Sequence, residues 1–116
     1  MSDFNLEIGG IELTGEFRNT VTARLFYDQL PITGNIKIVK GNIHFSEPIL
    51  EIQPDNEMID LKDGLLGYST ITKELIIVRN PKTVTEPTQI NWFATVLGDM
   101  NLLDNVKTGD LIFITL

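Results

Sequence analysis

Two alternating runs that meet at a glycine pair constrain this chain more than any other feature. Phe4, Leu6 and Ile8 alternate with polar residues, Gly9-Gly10 follows, and Ile11 and Leu13 resume the alternation. Successive side chains of a strand point to opposite faces, so each run has one apolar and one polar side. Two such runs joined by residues that tolerate positive φ form an antiparallel hairpin. The same order recurs in IKIVKGNIHF, where Gly41-Asn42 separates Ile36 and Ile38 from Ile43 and Phe45. Proline has no N–H to give to a ladder, so Pro48 predicts a break before ILEI. LLGYSTI and ELIIVRN pair around Thr72-Lys73, and Ile90–Leu97 and the terminal LIFITL supply two further strands. The last strand has Leu111 and Phe113 on one face and Ile112 and Ile114 on the other, which predicts packing on both sides.

One segment has helical period. In NTVTARLFYDQLP, Val21 and Leu25 are four apart, as are Phe26 and Leu30, and this predicts a helix over about 20–30 with Leu25 against the barrel. Asn19 or Thr20 is suited to cap it through a side-chain oxygen, and Pro31 stops it. A second, shorter helix or 3₁₀ turn is expected over about 100–106: Gly98 lets the preceding strand exit sharply, and Met100, Leu103 and Val106 face the sheet at three-residue spacing. The acid-rich stretch Glu51 to Gly64 reads as the longest connection. These elements predict a single domain over 1–116, mainly β, built as a mostly antiparallel closed barrel with one principal helix. An OB-like barrel is the alternative.

Composition narrows the partners. Sixteen acids against nine bases give a net charge of −7, and the bases form no run, which argues against nucleic-acid phosphates and anionic membrane surfaces. No cysteine is present, so disulfide and thiolate chemistry are excluded. No secretory leader is visible in MSDFNLEIGG, and the apolar runs are strand-length, so the expected location is the cytoplasm.

In order and spacing, IGGIELTGEF, ARLFYDQLP, NIHFSEP, GLLGY, ELIIVRNP, TVLGDMNLLDNV and TGDLIFI resemble the cyclophilin-like superfamily, and within it the small stand-alone bacterial proteins of unknown function. The resemblance covers nearly the whole chain and implies a cyclophilin-like barrel. TVLGDMNLLDNV is similar to the cyclophilin segment that ends a strand in Val-Phe-Gly and continues through Gly-Met-Asp-Val-Val. The isomerase signature departs: neither the Phe-His-Arg nor the Gln-Gly-Gly element occurs, and Ala94 stands where the family histidine falls. Prolyl isomerases of this family hold a guanidinium near the prolyl nitrogen to weaken amide resonance, against a barrier of about 18–20 kcal/mol. Arg18, Arg24 and Arg79 lie in no such motif. The resemblance therefore implies a non-catalytic domain that binds a peptide segment or a small ligand.

Four residues are candidates for that binding. His44, the only histidine, is either a general base or an outward strand residue between Ile43 and Phe45. Tyr68 and Trp92 are amphipathic aromatics suited to a groove, with Trp92 and Phe93 on opposite faces of their strand. Arg79 either anchors an anionic ligand or pairs with a surface acid. An enzyme using His44, Arg79 or the carboxylates Glu51, Asp55, Glu57, Asp60 and Asp63 is the alternative. The spacing of those acids does not fit a calcium loop, and they read as a solvated connection. A transition-metal site would rest on His44 plus carboxylates, and no phosphate cradle is present, so neither metal nor cofactor is expected.

Overall fold

A computed structural model describes residues 3–46 and 50–116. The strands are β1 (Asp3–Ile8), β2 (Ile11–Phe17), β3 (Ile32–Asn35), β4 (Lys37–Val39), β5 (Asn42–Phe45), β6 (Leu65–Ser69), β7 (Leu75–Ile77), β8 (Ile90–Leu97) and β9 (Leu111–Thr115), with one α-helix, α1 (Val21–Asp28). All pairings are antiparallel, in the order β3-β9-β1-β2-β8-β6-β7-β5-β4. The two edges of that order are consecutive in sequence. At Ile36, between β3 and β4, the chain leaves β9 and joins β5, and this continuity nearly closes the sheet into a barrel. Ile36 is buried; its N–H donates to the Asp110 carbonyl at 2.9 Å and its carbonyl accepts from Gly109 at 2.8 Å.

The β1–β2 turn uses Gly9 and Gly10 at φ of 55° and 84°, the two successive positive values that match strand twist in a two-residue hairpin. In the β4–β5 hairpin the turn falls on Lys40 and Gly41, one residue earlier than the expected Gly41-Asn42, and Asn42 already belongs to β5. The β6–β7 turn closes at Thr72-Lys73 as expected, with the Lys73 N–H donating to Ser69 at 2.9 Å. The break assigned to Pro48 lies outside the described residues.

Inside the barrel, Phe4, Phe17, Phe26 and Phe93 pack in tilted pairs. Thr20 caps α1, its Oγ1 accepting from the Ala23 N–H at 3.0 Å. The helix turns Thr22, Ala23 and Phe26 inward. Leu25, expected against the barrel, is 37% exposed, and Val21 is 60% exposed. The ring of Phe26 reaches Phe93 with centroids 4.6 Å apart, and its larger apolar area decides which stripe turns in. The short second helix is a 3₁₀ turn, Met100–Leu103; Leu103 is buried and Met100 and Val106 pack against the core, as the three-residue spacing predicts.

A second apolar cluster lies on the outer side of the wall. Leu65, Ile76, Val78, Ile90 and Trp92 are buried there, covered by Ile59 and Leu61 of the Glu51–Gly64 connection and by Val84. Gly67 pairs with Trp92, and a Cβ at Gly67 would lie 2.6 Å from the indole ring, so glycine is what lets the indole approach the backbone there. The connection is therefore fastened rather than free. Buried Asn91 accepts from the Asp55 N–H at 2.9 Å and donates to the Gln53 carbonyl at 2.9 Å. Arg18 reaches Glu57 (Nη2···Oε2 3.0 Å) and the Trp92 carbonyl (2.8 Å). The hydrogen bond to Glu57 raises the Arg18 pKa and holds the Glu57 carboxyl below its ordinary range.

The opposite wall is one-sided. Ile112 and Ile114 are buried, but Leu111 is 51% exposed and Phe113 is half-buried. The two-sided packing expected of β9 is thus corrected: among the described residues no cover comparable to Ile59 and Leu61 lies there, and Phe113 borders a hollow of about 520 Å³ with Glu7 and Glu12.

Candidate functional site

Between β7 and β8 the chain from Arg79 to Gln89 arches over the sheet through two 3₁₀ turns, Pro81–Thr83 and Pro87–Gln89. Prolines opening both turns fix φ there without wasting a backbone donor. The arch is stapled by buried Asn42. Its Oδ1 accepts from Arg79 N–H (2.9 Å) and Asn80 N–H (2.8 Å), and its Nδ2 donates to Thr83 Oγ1 (2.9 Å). Beneath the arch is a concavity of about 350 Å³.

Pairing brings its polar groups together. His44 lies opposite Lys37 on one side and Ile76 on the other, so all three share the outer face. Glu74, two residues before Ile76, follows on the same side. The His44 Nδ1–H donates to Glu74 Oε1 at 3.2 Å, and Lys37 Nζ lies 2.7 Å from Oε2. Burial opposes the charge of Glu74, but the hydrogen bonds from Lys37 and His44 outweigh it and hold the carboxyl below the ordinary glutamate range. Ile71, Ile76, Val84 and Ile90 give the concavity apolar walls. His44 therefore opens into a concave space rather than onto a flat face.

The other candidates are elsewhere. Tyr68 and Trp92, expected to flank a groove, are 0% and 1% exposed. They belong to different clusters, Tyr68 in the barrel interior and Trp92 in the outer one, so they cannot line one groove. The Tyr68 hydroxyl accepts from Leu50 N–H at 3.0 Å and donates to the Leu50 carbonyl at 3.1 Å; the indole N–H donates to Pro87 at 3.3 Å. Their polar tips serve the backbone of covering segments instead of a ligand. Arg79 is committed to two acids, Asp63 and Asp104, each at 2.9 Å. Burial lowers its pKa, yet those two hydrogen bonds leave it raised. Arg24 is exposed on α1, and Ala94 is fully buried.

Of the acids in the connection, Glu51, Asp55, Asp60 and Asp63 are exposed and Glu57 is half-buried against Arg18. Asp55 and Glu57 border a third hollow of about 480 Å³ with Thr22 and Asn91. Among the described residues no three His, Cys, Asp or Glu side chains gather to hold a metal ion. Sequence reading missed Glu74, Lys37, Asn42 and Asn91. The alternation of Glu74 with Ile76, and of Asn42 with His44, was the available signal for two of them. The partner of Asn91 across 36 residues left no local trace.

No family model matches the chain, and no curated protein matches it. Among solved structures it is similar to the solution structure of a hypothetical protein from Archaeoglobus fulgidus, with a TM-score of 0.73 and 16% identity over 98% of this chain and 93% of that one. At that identity the likeness concerns the fold. Among the described residues no helix is long and apolar enough to cross a membrane.

Proposed function

We propose that this chain is a non-catalytic cyclophilin-like domain of the cytoplasm that binds a peptide segment or a small ligand in the concavity beneath the arch. The observation that carries the reading is the joint arrangement of His44, Glu74 and Lys37 in a space that also presents the aliphatic side chains Ile71, Ile76, Val84 and Ile90. Ligand sites combine apolar lining with a few fixed polar groups in this way, in volumes of about 300–1,000 Å³. The cyclophilin-like resemblance adds support, since its segments follow one another in order along a barrel with one main helix. The net charge of −7 disfavours nucleic acid as the partner.

Catalysis of prolyl exchange is not part of this reading. The family motifs are missing, and Arg79 is held by Asp63 and Asp104. A short X-Pro peptide, followed by exchange NMR, tests both halves. Its cis–trans rate is expected to stay at the uncatalysed tens to hundreds of seconds, while amide shifts gather on β4, β5, β7 and residues 83–90. Acceleration abolished by Arg79→Ala would overturn the non-catalytic reading. Shifts gathered on β1, β2 and β9 would overturn the site.

A second reading, an acid–base enzyme, is favoured by one feature: the His44–Glu74 pair has the orientation in which a carboxylate fixes an imidazole tautomer. Hydrolysis of a small activated ester, lost in His44→Gln, would support it.

A further inference from the structure

Among the described residues, the hollows beside Phe113, beside Asn91 and under the arch differ in charge. The one beside Phe113 is bordered by Glu7 and Glu12, and the one beside Asn91 by Asp55 and Glu57, with no lysine, arginine or histidine lining either. The concavity under the arch gathers Lys37, Lys40 and His44, against Glu74 and Glu86. In a chain of net charge −7 this is where cationic groups meet an apolar wall. Glu74 is already satisfied at both oxygens, by His44 and Lys37. Lys40, held in the tight turn at φ 52°, forms no ion pair among the described residues.

The imidazole supplies the second argument. An ionised carboxylate only accepts hydrogen bonds, so the Nδ1 facing Glu74 carries the proton. Among the described residues Nε2 has no partner and no buried polar side-chain atom is left unpaired, so Nε2 is reached from the concavity or solvent. In the neutral ring Nε2 is a lone pair that repels an anion. In the protonated ring it becomes a donor, and an anionic oxygen placed there draws the proton on.

Resting on the reading that this concavity is the ligand site, we propose that its ligand is a small amphipathic carboxylate. The carboxylate meets His44 Nε2 and Lys40, and the aliphatic part lies against Ile71, Ile76, Val84 and Ile90. Binding takes up a proton on His44. The charged groups lining the space with the imidazole are Glu74 just before β7, Lys37 on β4, Lys40 in the turn and Glu86 on the arch; of these the two lysines favour the anion, Glu74 is paired with His44 and Lys37, and Glu86 opposes it.

The test is an NMR titration of the full chain with octanoate, octanamide and octylammonium at about pH 6 and about pH 8, across the range in which histidine changes charge. Octanoate is expected to shift the amides of Lys40, His44, Ile76 and Ile90 saturably, with affinity falling on the order of tenfold at the higher pH. His44→Gln should abolish that pH dependence, and Lys40→Gln should weaken octanoate at both pH values while leaving octanamide unchanged. Equal binding of octanamide at the same amides would overturn the carboxylate and leave the site standing. Binding of octylammonium in preference would overturn it likewise. No perturbation at these amides by any of the three would overturn this ligand class, whereas the peptide titration separately decides the binding-domain reading.

Discussion

The barrel wall is built in two different ways. Around β6 and β8 both faces of the sheet are dry: Phe93 points into the barrel and Trp92 into a second cluster beneath Ile59, Leu61 and Val84. Around β1, β2 and β9 the described residues cover only the inner face, and the outer side carries Asn5, Glu7, Glu12, Thr14 and a half-buried Phe113. The difference comes from connections rather than strands. Two irregular segments, the acid-rich connection and the arch, fold back over one half and are fastened there by buried Asn91 and Asn42. Backbone groups of such segments need partners once water is excluded, and a buried asparagine can both donate and accept. The covered half is also where the concavity with mixed charge lies, beneath the arch, whereas the hollow on the open wall has only acids among its charged lining residues.

The largest effect expected from this comparison is at Trp92. Trp92→Ala should cost about 3–5 kcal/mol in denaturant unfolding, the range for removing a large aromatic from a packed core, and as much as Phe93→Ala on the inner side. A cost near that of a surface change would mean that the outer cluster is not a core. Next comes Asn91→Ala, which strips the connection of its hydrogen bonds to Gln53 and Asp55. It should cost about 1–3 kcal/mol, with faster amide exchange confined to residues 53–61.

Glu74→Gln sharpens the comparison through pH. The folded-state pKa of Glu74 is lowered, so its contribution to stability is fully present above the unfolded value and is lost as pH falls through the folded one. The stability gap between the wild type and Glu74→Gln should thus shrink steadily from about pH 6 downward, as followed by urea midpoints across that range. A gap that widened on acidification would reverse the sign and break the argument. The smallest effect belongs to the open wall: Phe113→Ser should change stability far less than Trp92→Ala, by about 1 kcal/mol or less, since only part of its ring leaves water.

The strands were legible in the sequence because alternation and glycine turns are local signals. Ile90–Leu97 and the Gly9-Gly10 hairpin are found where the pattern puts them. What local pattern does not carry is which face receives a cover. LIFIT and INWFATVL both have apolar residues on successive positions, yet among the described residues only the second is covered on both sides, and two of its covering residues, Ile59 and Leu61, lie about 30 positions before Trp92 in sequence. The same limit misdirected the reading of Tyr68 and Trp92, whose burial depends on Leu50 and Pro87 meeting their polar tips. Leu25 lost to Phe26 for a related reason: helical period offers two adjacent stripes, and packing against Phe93 selects one. In the site, His44 was legible as the one histidine, while Glu74 offered only its alternation with Ile76, because its role depends on the pairing of β5 with β7.

Trp92 is the only tryptophan, so its fluorescence reports directly on the covered half. If the connection and the arch seal that face, emission in the native protein is blue-shifted and resists quenching by acrylamide and iodide until the whole domain unfolds. Ready quenching under native conditions, or exposure of the indole at a denaturant concentration well below the main transition, would contradict the two-walled account.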